Sequence, residues 1–335
     1  MNLMSLRRFL PDAFTIYLVL TVLLASFLPV SGQGAVAMKW VTNIGIALLF
    51  FFHGAKLSRD AAVAGLMHWR LHLLIFSCTF VMFPLLGLAL RPALNWWLPN
   101  DLVLGILFLC ALPATVQSAI AFTSIARGNV PAAICSASGS SLIGIFITPI
   151  LVPLLLTTSG QIGISWEGVV KIMTQLLLPF LLGQYARRWI GKWMTQRKSL
   201  VRVVDQGSIL LVVYTAFSEA VVGGIWGQLS WELLLKLVLA LCVLLALSMT
   251  LSRFLSRRLG FDVEDEIAVL FCGSKKSLAT GVPMANVLLP SAAIGMAVLP
   301  LMIFHQIQLM VSGVLAQRYA RRLERREKTM AESTA

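Results

Sequence analysis

Two adjacent lysines, Lys275 and Lys276, lie in the middle of a long apolar stretch, IAVLFCGSKKSLATGVPMANVLLP. A lysine at the centre of a membrane helix costs roughly 2.5–3.5 kcal/mol on insertion scales, so such a residue marks a functional site by default. Gly273 and Gly281 flank the pair and Pro283 follows, which favours a broken helix whose free backbone groups line a polar cavity. The alternative is that both lysines snorkel to water from a helix end, but the apolar sequence continues on both sides of them. The pattern therefore predicts a cationic site inside a membrane.

The composition predicts the class of protein that positions these lysines. Of the 335 residues, 58% are hydrophobic and only 12% are charged, which is too apolar for a soluble chain of this length. Ten hydrophobic runs have spanning length. They cover residues 14–30, 40–55, 71–90, 102–126, 130–157, 168–186, 206–226, 233–252, 266–289 and 291–316. We expect an all-α polytopic membrane protein with ten transmembrane helices.

The basic residues predict an orientation. The net charge is +13, and when alternate loops are assigned to opposite sides, 21 of the 27 Lys and Arg residues fall on the side of the N-terminus. Only Lys39 and Arg91 fall in the opposite loops. This asymmetry follows the positive-inside rule and predicts a multi-pass membrane protein with both termini in the cytoplasm. It argues against a nucleic-acid partner, while the charged tail could contact anionic membrane lipid or form a solvated end.

The ten spans divide into two halves that predict an inverted repeat. Residues 1–158 form the first repeat, residues 167–316 the second, and residues 317–335 a charged cytoplasmic tail. Five spans is an odd number, so the halves enter the membrane with opposite orientations. The segments LCALPATVQSAIAFTSIARGNVPAA and FCGSKKSLATGVPMANVLLPSAA occupy corresponding places and share a cysteine, a polar cluster, small residues, and then Asn and Pro. Paired interrupted segments of this kind indicate the binding site of a transporter.

Polar residues in and near these two segments are the candidates for substrate and ion binding. They are Thr115, Gln117, Ser118, Asn129, Ser136, Ser274, Lys275, Lys276, Ser277, His305 and Gln308. His305 and Gln308 are three residues apart, so they share a helix face that either lines a cavity or holds helices together.

Two further ionisable residues have open interpretations. His53 is either a proton carrier or an interfacial histidine. Glu219 is the only acidic residue well inside a predicted span. The favoured interpretation places it at the interface, and the alternative makes it the charge partner of a lysine.

The sequence contains no pattern typical of an enzyme. It has no phosphate-binding Gly-rich loop with Lys-Ser/Thr, no His-Glu-x-x-His and no nucleophile elbow. The five cysteines lie within apolar runs without metal-type spacing. We therefore expect no catalytic residue, no metal site and no cofactor, with Na⁺ or H⁺ left open as a coupling ion.

Taken together, these segments resemble the bile acid:sodium symporter (SBF-like) family, and specifically its divergent YfeH-type branch. The motifs that carry the resemblance are Ala126–Val130 (ARGNV), Phe51–Ser58 (FFHGAKLS), Phe271–Ala279 (FCGSKKSLA) and Pro300–Met310 (PLMIFHQIQLM). The resemblance implies a core domain and a panel domain, with two discontinuous helices crossing near the membrane midplane. It also implies a secondary transporter that moves a small organic anion by alternating access.

The chain departs from this family where the family holds sodium. Better-known members have an acidic residue two positions before the crossover glycine and a Gln-Asn pair after it. In this chain Phe271 occupies the acidic position, and Lys275 and Lys276 replace the Gln-Asn pair. Sodium requires oxygen ligands, whereas an ammonium group only donates hydrogen bonds. We expect sodium-independent behaviour, with a lysine acting as a tethered cation or carrying a proton.

Two alternatives remain at this point. A relocated sodium site could use Gln117, Ser118, Ser136 and backbone carbonyls, with the lysines turned away. The chain could also be a regulatory membrane protein that keeps the fold without moving solute. A steroid conjugate, another carboxylate and a sulfonate all fit as substrates, and the oligomeric state is open.

Overall fold

A computed structural model describes residues 13–56, 68–157, 166–224, 227 and 229–334. These residues form helices and short linkers with no β-strand among them, which confirms the predicted all-α class for this part of the chain. The N-terminal segment with Arg7 and Arg8, and the loop at the predicted repeat boundary, lie outside the described residues.

The helices are numbered here in chain order. They are α1 (Ala13–Phe27), α2 (Gly32–Lys56), α3 (Trp69–Ser77), α4 (Phe83–Trp97), α5 (Asn100–Ala111), α6 (Gln117–Ile125), α7 (Val130–Thr157), α8 (Trp166–Gln196), α9 (Lys198–Val222), α10 (Trp231–Arg258), α11 (Val263–Gly273), α12 (Leu278–Leu288) and α13 (Ser291–Thr334). A π-helical segment, Cys78–Met82, joins α3 to α4.

Six helical stretches of the described chain are long and apolar enough to cross a membrane. They are Gly32–Ala55, Trp69–Trp97, Val130–Leu156, Ser199–Val222, Trp231–Arg258 and Ala293–Glu324. Ile16–Phe27 and Asn100–Ala111 are shorter apolar helices. Many large apolar side chains, including Leu154, Trp231 and Leu235, are exposed on the outside of the bundle, as lipid-facing residues are. The chain is a multi-pass membrane protein.

Both segments that the sequence predicts to be interrupted are broken. The first break separates α5 from α6 at residues 112–116, and the second separates α11 from α12 at residues 274–277. The two breaks touch, because the Ser277 N–H donates to the Pro113 carbonyl at 2.9 Å. Non-helical backbone is tolerated at membrane depth only where other protein groups satisfy it. The crossing of these breaks therefore lies inside the bundle.

The π-helical segment is explained by the sequence around Pro84. The Phe83 N–H donates to the Cys78 carbonyl, five residues back, in place of the Thr79 carbonyl, four residues back. Pro84 would be the next donor to Thr79, but proline has no N–H. The Thr79 carbonyl is thus released from the helical ladder, as happens at π-bulges near functional sites.

Two packing groups surround the crossing. The pair α2 and α8 pack with α9, and α1 packs on α9. Gly54 and Gly183 allow α2 and α8 to approach closely, since an added Cβ would meet the Phe180 and Phe51 carbonyl oxygens respectively. The remaining helices pack around α5, α11 and α13, and α9 contacts both α12 and α13.

The last helix extends into the predicted charged tail. The sequence predicts a charged segment after Ala316 that is solvated or rests on lipid, whereas α13 continues without interruption to Thr334. Tyr319 in this extension is only 8% exposed because it packs against the beginning of α11. The first part of the predicted tail is therefore packed against the helical bundle.

Candidate functional site

The Lys276 ammonium group is surrounded by main-chain carbonyls at the crossing. Lys276 is 0% exposed, and its Nζ donates to the carbonyls of Thr79 at 2.8 Å, Cys110 at 3.0 Å and Leu112 at 2.7 Å. The Phe83 ring lies beneath it, with 4.2 Å between Nζ and the ring centroid. An ammonium group has three donors and no acceptor, so this arrangement satisfies it completely.

The Cys110 and Leu112 carbonyls have no helical N–H donor because α5 ends at Ala111. The N–H of residue 113 would cap the Cys110 carbonyl in a 3₁₀ turn, but residue 113 is proline. The Ala114 N–H, the α-helical donor to Cys110, instead donates to Ser140 Oγ at 3.0 Å. Leu112 is extended and lies beyond the last helical residue. The partial negative charge at a helix carboxyl end favours a cation here.

Lys275 has a different environment although it is also 0% exposed. Among the described residues, its Nζ donates one hydrogen bond, a long one of 3.3 Å to the Ser118 carbonyl in the first turn of α6. The Phe122 ring centroid lies 3.9 Å away and the Phe271 centroid 5.4 Å away, so two aromatic faces contribute cation–π attraction. Its donors are therefore incompletely matched.

Gln308 fixes the backbone of the lysine pair. Its Oε1 accepts from the Lys276 N–H and its Nε2 donates to the Lys276 carbonyl, both at 2.9 Å. The same Nε2 lies 3.0 Å from His305 Nδ1, so the two residues do share a face as their spacing predicts. That face of α13 is bonded to the crossing, which makes Gln308 a positioning residue for Lys276.

The other polar residues at the breaks mainly stabilise the local chain. Ser277 caps α12 by accepting from the Thr280 N–H, and Ser274 Oγ donates back to the Leu270 carbonyl. Ser118 Oγ donates to Thr115 Oγ1 at 2.8 Å. Gln117 is exposed, unlike the buried lysine pair.

The remaining predicted site residues lie elsewhere in the bundle. Asn129 caps α7 by accepting from the Ala132 N–H, and its Nδ2 donates to Asp265 Oδ1 at 2.8 Å. Ser136 is 2.6 Å from His72 Nδ1 in a buried pair that sequence reasoning missed. Gln117 is exposed, Ser118 bonds Thr115 and Ser136 pairs with His72, and the relocated-sodium site stays a prediction.

His53 and Glu219 also lie apart from the lysine pair. The His53 Nδ1 is 2.8 Å from the Leu49 carbonyl of its own helix, α2. Glu219 is in the last turn of α9 and is exposed, in agreement with the interfacial interpretation. Among the described residues no carboxylate contacts either lysine, so Glu219 is not the charge partner that the alternative interpretation proposed.

A second polar cluster lies at the beginning of α11, where Glu266 precedes Lys275 by nine residues. The Glu266 carboxylate is nearly buried and accepts from Arg253 Nε at 3.0 Å, Arg257 Nε at 2.6 Å and the Tyr319 hydroxyl at 2.7 Å. These partners come from α10 and α13. Arg322 completes an open pocket beside them. The cluster ties three helices together at the end of the molecule where α13 extends.

Sequence reasoning located the lysines and the breaks but missed most of their partners. The missed residues are Thr79, Phe83, Cys110, Leu112 and Phe122, together with Ser140 and Thr148, whose hydroxyls bond the backbone around the first break. Pro84 and Pro113 were the available signals, since each proline removes a donor from a nearby carbonyl. Within the described chain, no group of three His, Cys, Asp or Glu side chains is arranged to hold a metal ion.

The fold defines a multi-pass membrane protein, and comparison with known proteins identifies its family. Residues 12–321 match the SBF-like CPA transporter family, and the chain belongs to it. This agrees with the resemblance to the bile acid:sodium symporter family and with the expectation that the chain is not an enzyme.

Three relatives illustrate the range of similarity. An uncharacterized protein of Pseudomonas aeruginosa, PA2026, is 65% identical over 98% of this chain and 99% of its own length. YfeH of Escherichia coli, named as a candidate symporter, is 56% identical over 96% of each chain. Sodium/bile acid cotransporter 7 of Mus musculus is 28% identical over 92% of this chain and 93% of its own. The relatives named for an activity are thus named for transport.

Proposed function

We propose that this protein is a secondary transporter that carries a small organic anion across a bacterial inner membrane by alternating access. The observation that carries the proposal is the buried pair Lys275 and Lys276 at the contact between two broken helices. Substrate sites of secondary transporters are typically formed by discontinuous helices near the membrane midplane.

Lys275 is the residue that we assign to the anion. Its ammonium group is buried with one long hydrogen bond, so it can form additional charge-assisted hydrogen bonds with a carboxylate or a sulfonate. It also lies beside the first turn of α6, where the partial positive charge of a helix amino end attracts an anion. The rings of Phe122 and Phe271 provide an apolar surface for the substrate's carbon skeleton.

The predicted ten-span architecture supports alternating access. We infer that α5–α6 and α11–α12 each cross the membrane once as a broken span, and that the two halves of the chain form inverted repeats. The two breaks have similar lengths and each follows a Cys with one small residue after it: Cys110-Ala111 and Cys272-Gly273. Both lysines are fully buried in this arrangement, so access from either side requires one helix group to move against the other.

The orientation follows from charge. With both termini in the cytoplasm, the cluster around Glu266, the loop at Arg127 and the extension of α13 all lie on the cytoplasmic side. The Glu266 cluster joins α10, α11 and α13 beside the second broken span. Breaking its hydrogen bonds would let these helices separate and give the lysines access to the cytoplasm.

The test is uptake into proteoliposomes, preceded by a thermal-shift screen of steroid conjugates, simple carboxylates and sulfonates. We expect a stabilising anion to show saturable counterflow, and Lys275→Gln to abolish both effects. The matched control is Lys236→Gln, which removes a lysine from α10 that is 41% exposed and paired with Glu232 at 2.6 Å.

Two outcomes would contradict the proposal. Wild-type flux by Lys275→Gln would show that the anion binds elsewhere. The absence of saturable flux for every anion, together with specific capture of one partner protein, would instead support a regulatory membrane protein that retains this fold.

A further inference from the structure

The carbonyl oxygens of Thr79, Cys110 and Leu112 form a cation site that the backbone creates independently of the Lys276 side chain. Each oxygen is released by local sequence: Thr79 by the π-helical segment and Pro84, Cys110 by Pro113, and Leu112 by the end of α5. All three point to one position beneath which lies the Phe83 ring. Three carbonyl oxygens and an aromatic face are suited to a small monovalent cation.

We propose that the Lys276 ammonium group permanently fills this site, so that the protein carries its own cation and binds no sodium there. This rests on the proposed function, because it assigns the coupling property of the same crossing. Lys276 Nζ lies at 2.7–3.0 Å from all three oxygens, which uses each of its three N–H groups. A neutral amine would have only two N–H groups and would turn a lone pair towards a carbonyl oxygen.

The position of the lysine backbone is fixed as well. Gln308 bonds both the N–H and the carbonyl of Lys276 at 2.9 Å. The Lys276 backbone is therefore held in a fixed position against α13. The Ser277 N–H, the next along the chain, donates to the Pro113 carbonyl. These three bonds hold the Lys276 backbone beside the end of α5.

Lys275 provides the internal comparison. It precedes Lys276 directly and is equally buried, but its Nζ has one carbonyl partner at 3.3 Å among the described residues. If burial alone determined whether an added cation can replace a lysine, the Lys275 and Lys276 variants would respond equally to added cations. The carbonyl site assigns the built-in cation to Lys276 alone.

The experiment measures thermal stability and ²²Na⁺ binding of the purified full-length protein in Na⁺, Li⁺, K⁺ and choline salts. We expect the wild type to show no saturable sodium binding and the same melting temperature in sodium and choline. Lys276→Ala should melt at a lower temperature in choline and regain part of the loss, saturably, with Na⁺ or methylammonium. Lys275→Ala should show no cation-dependent recovery.

Saturable sodium binding by the wild type would overturn the proposal. A folded Lys276→Ala variant whose melting temperature is the same in every salt would overturn it too. Lys276→Gln is a second variant with smaller loss of side-chain volume. If neither variant folds, the wild-type measurement decides: no saturable sodium binding supports the proposal and saturable binding overturns it. None of these measurements needs a transported substrate, so failure to find organic-anion flux would contradict the proposed function and leave the cation result standing.

Discussion

Replacement of each lysine by methionine should have very different effects on stability. Methionine keeps most of the length and the apolar contacts of a lysine but removes its three donors. At position 276 the substitution leaves the three carbonyls of Thr79, Cys110 and Leu112 without their donor inside the bundle. At position 275 it removes one hydrogen bond of 3.3 Å.

The magnitudes follow from the number of groups left unpaired. An unsatisfied buried polar group costs about 1–3 kcal/mol, so three carbonyls give an upper sum of roughly 3–9 kcal/mol. Removal of a buried ammonium group offsets part of this because its desolvation cost disappears, and we expect a net loss of about 3–5 kcal/mol for Lys276→Met. For Lys275→Met the lost bond and the relieved desolvation nearly cancel, so we expect a change within about 1 kcal/mol of zero.

The assay is reversible unfolding of both variants and wild type in the same mixed micelles, followed by tryptophan fluorescence. The adjacent positions make each variant the control for the other, since burial, residue type and substitution are identical. Equal losses for the two variants would refute the distinction between a saturated and an unsaturated lysine. A larger loss for Lys275→Met would reverse the assignment.

Three further predictions use the same unfolding assay. Gln308→Leu removes both bonds to the Lys276 main chain and should cost about 1–3 kcal/mol, since each bond contributes about 0.5–1.5 kcal/mol. Tyr319→Phe removes a buried donor to the Glu266 carboxylate and should cost about 1.5–3 kcal/mol, the usual contribution of a bond to a charged group. Asn129→Ala removes a helix cap and should cost about 1 kcal/mol without weakening anion binding, which a parallel thermal-shift titration measures.

Each of these predictions has a matched comparison. Gln308→Glu keeps the acceptor for the Lys276 N–H and should retain part of the stability, whereas full stability of Gln308→Leu would rule out the positioning role. Tyr214→Phe removes an exposed hydroxyl that donates to Leu28, and a loss as large as that of Tyr319→Phe would contradict the importance of burial. Asn129→Ser keeps a capping oxygen and serves as the comparison. Loss of anion binding in Asn129→Ala but not in Asn129→Ser would show that Asn129 takes part in anion binding.

The breaks and the lysine pair were predictable because their signals are local. Gly, Pro and polar residues within an apolar run disfavour a continuous helix, and the two breaks fall at the clusters that begin at Thr115 and Ser274. The common face of His305 and Gln308 follows from helical periodicity. These features depend on residues only a few positions apart, where sequence patterns are most informative.

The partners of the lysines could not be predicted in the same way. Lys276 bonds carbonyls more than 160 residues away in the chain, and a backbone carbonyl has no residue type that a sequence could reveal. Glu219 was the carboxylate that the sequence offered as a partner for a lysine, whereas helix ends and aromatic rings supply the contacts. Asn129 and Ser136 were polar and well placed along the chain, but they are used for a helix cap and for a bond to His72.

The difference between the lysines suggests how substrate and conformation are linked. Lys276 lies at the carboxyl end of α5, whose partial negative charge offsets its ammonium group, whereas Lys275 lies at the amino end of α6, whose partial positive charge does not. A bound anion would be attracted by both Lys275 and α6, and it would remove the cost of enclosing an unmatched ammonium group. Under the proposed function, the loaded site therefore closes more readily than the empty one. Substrate binding would then favour the enclosed arrangement directly, and Lys276 would supply the fixed charge that a second, diffusible cation would otherwise bring.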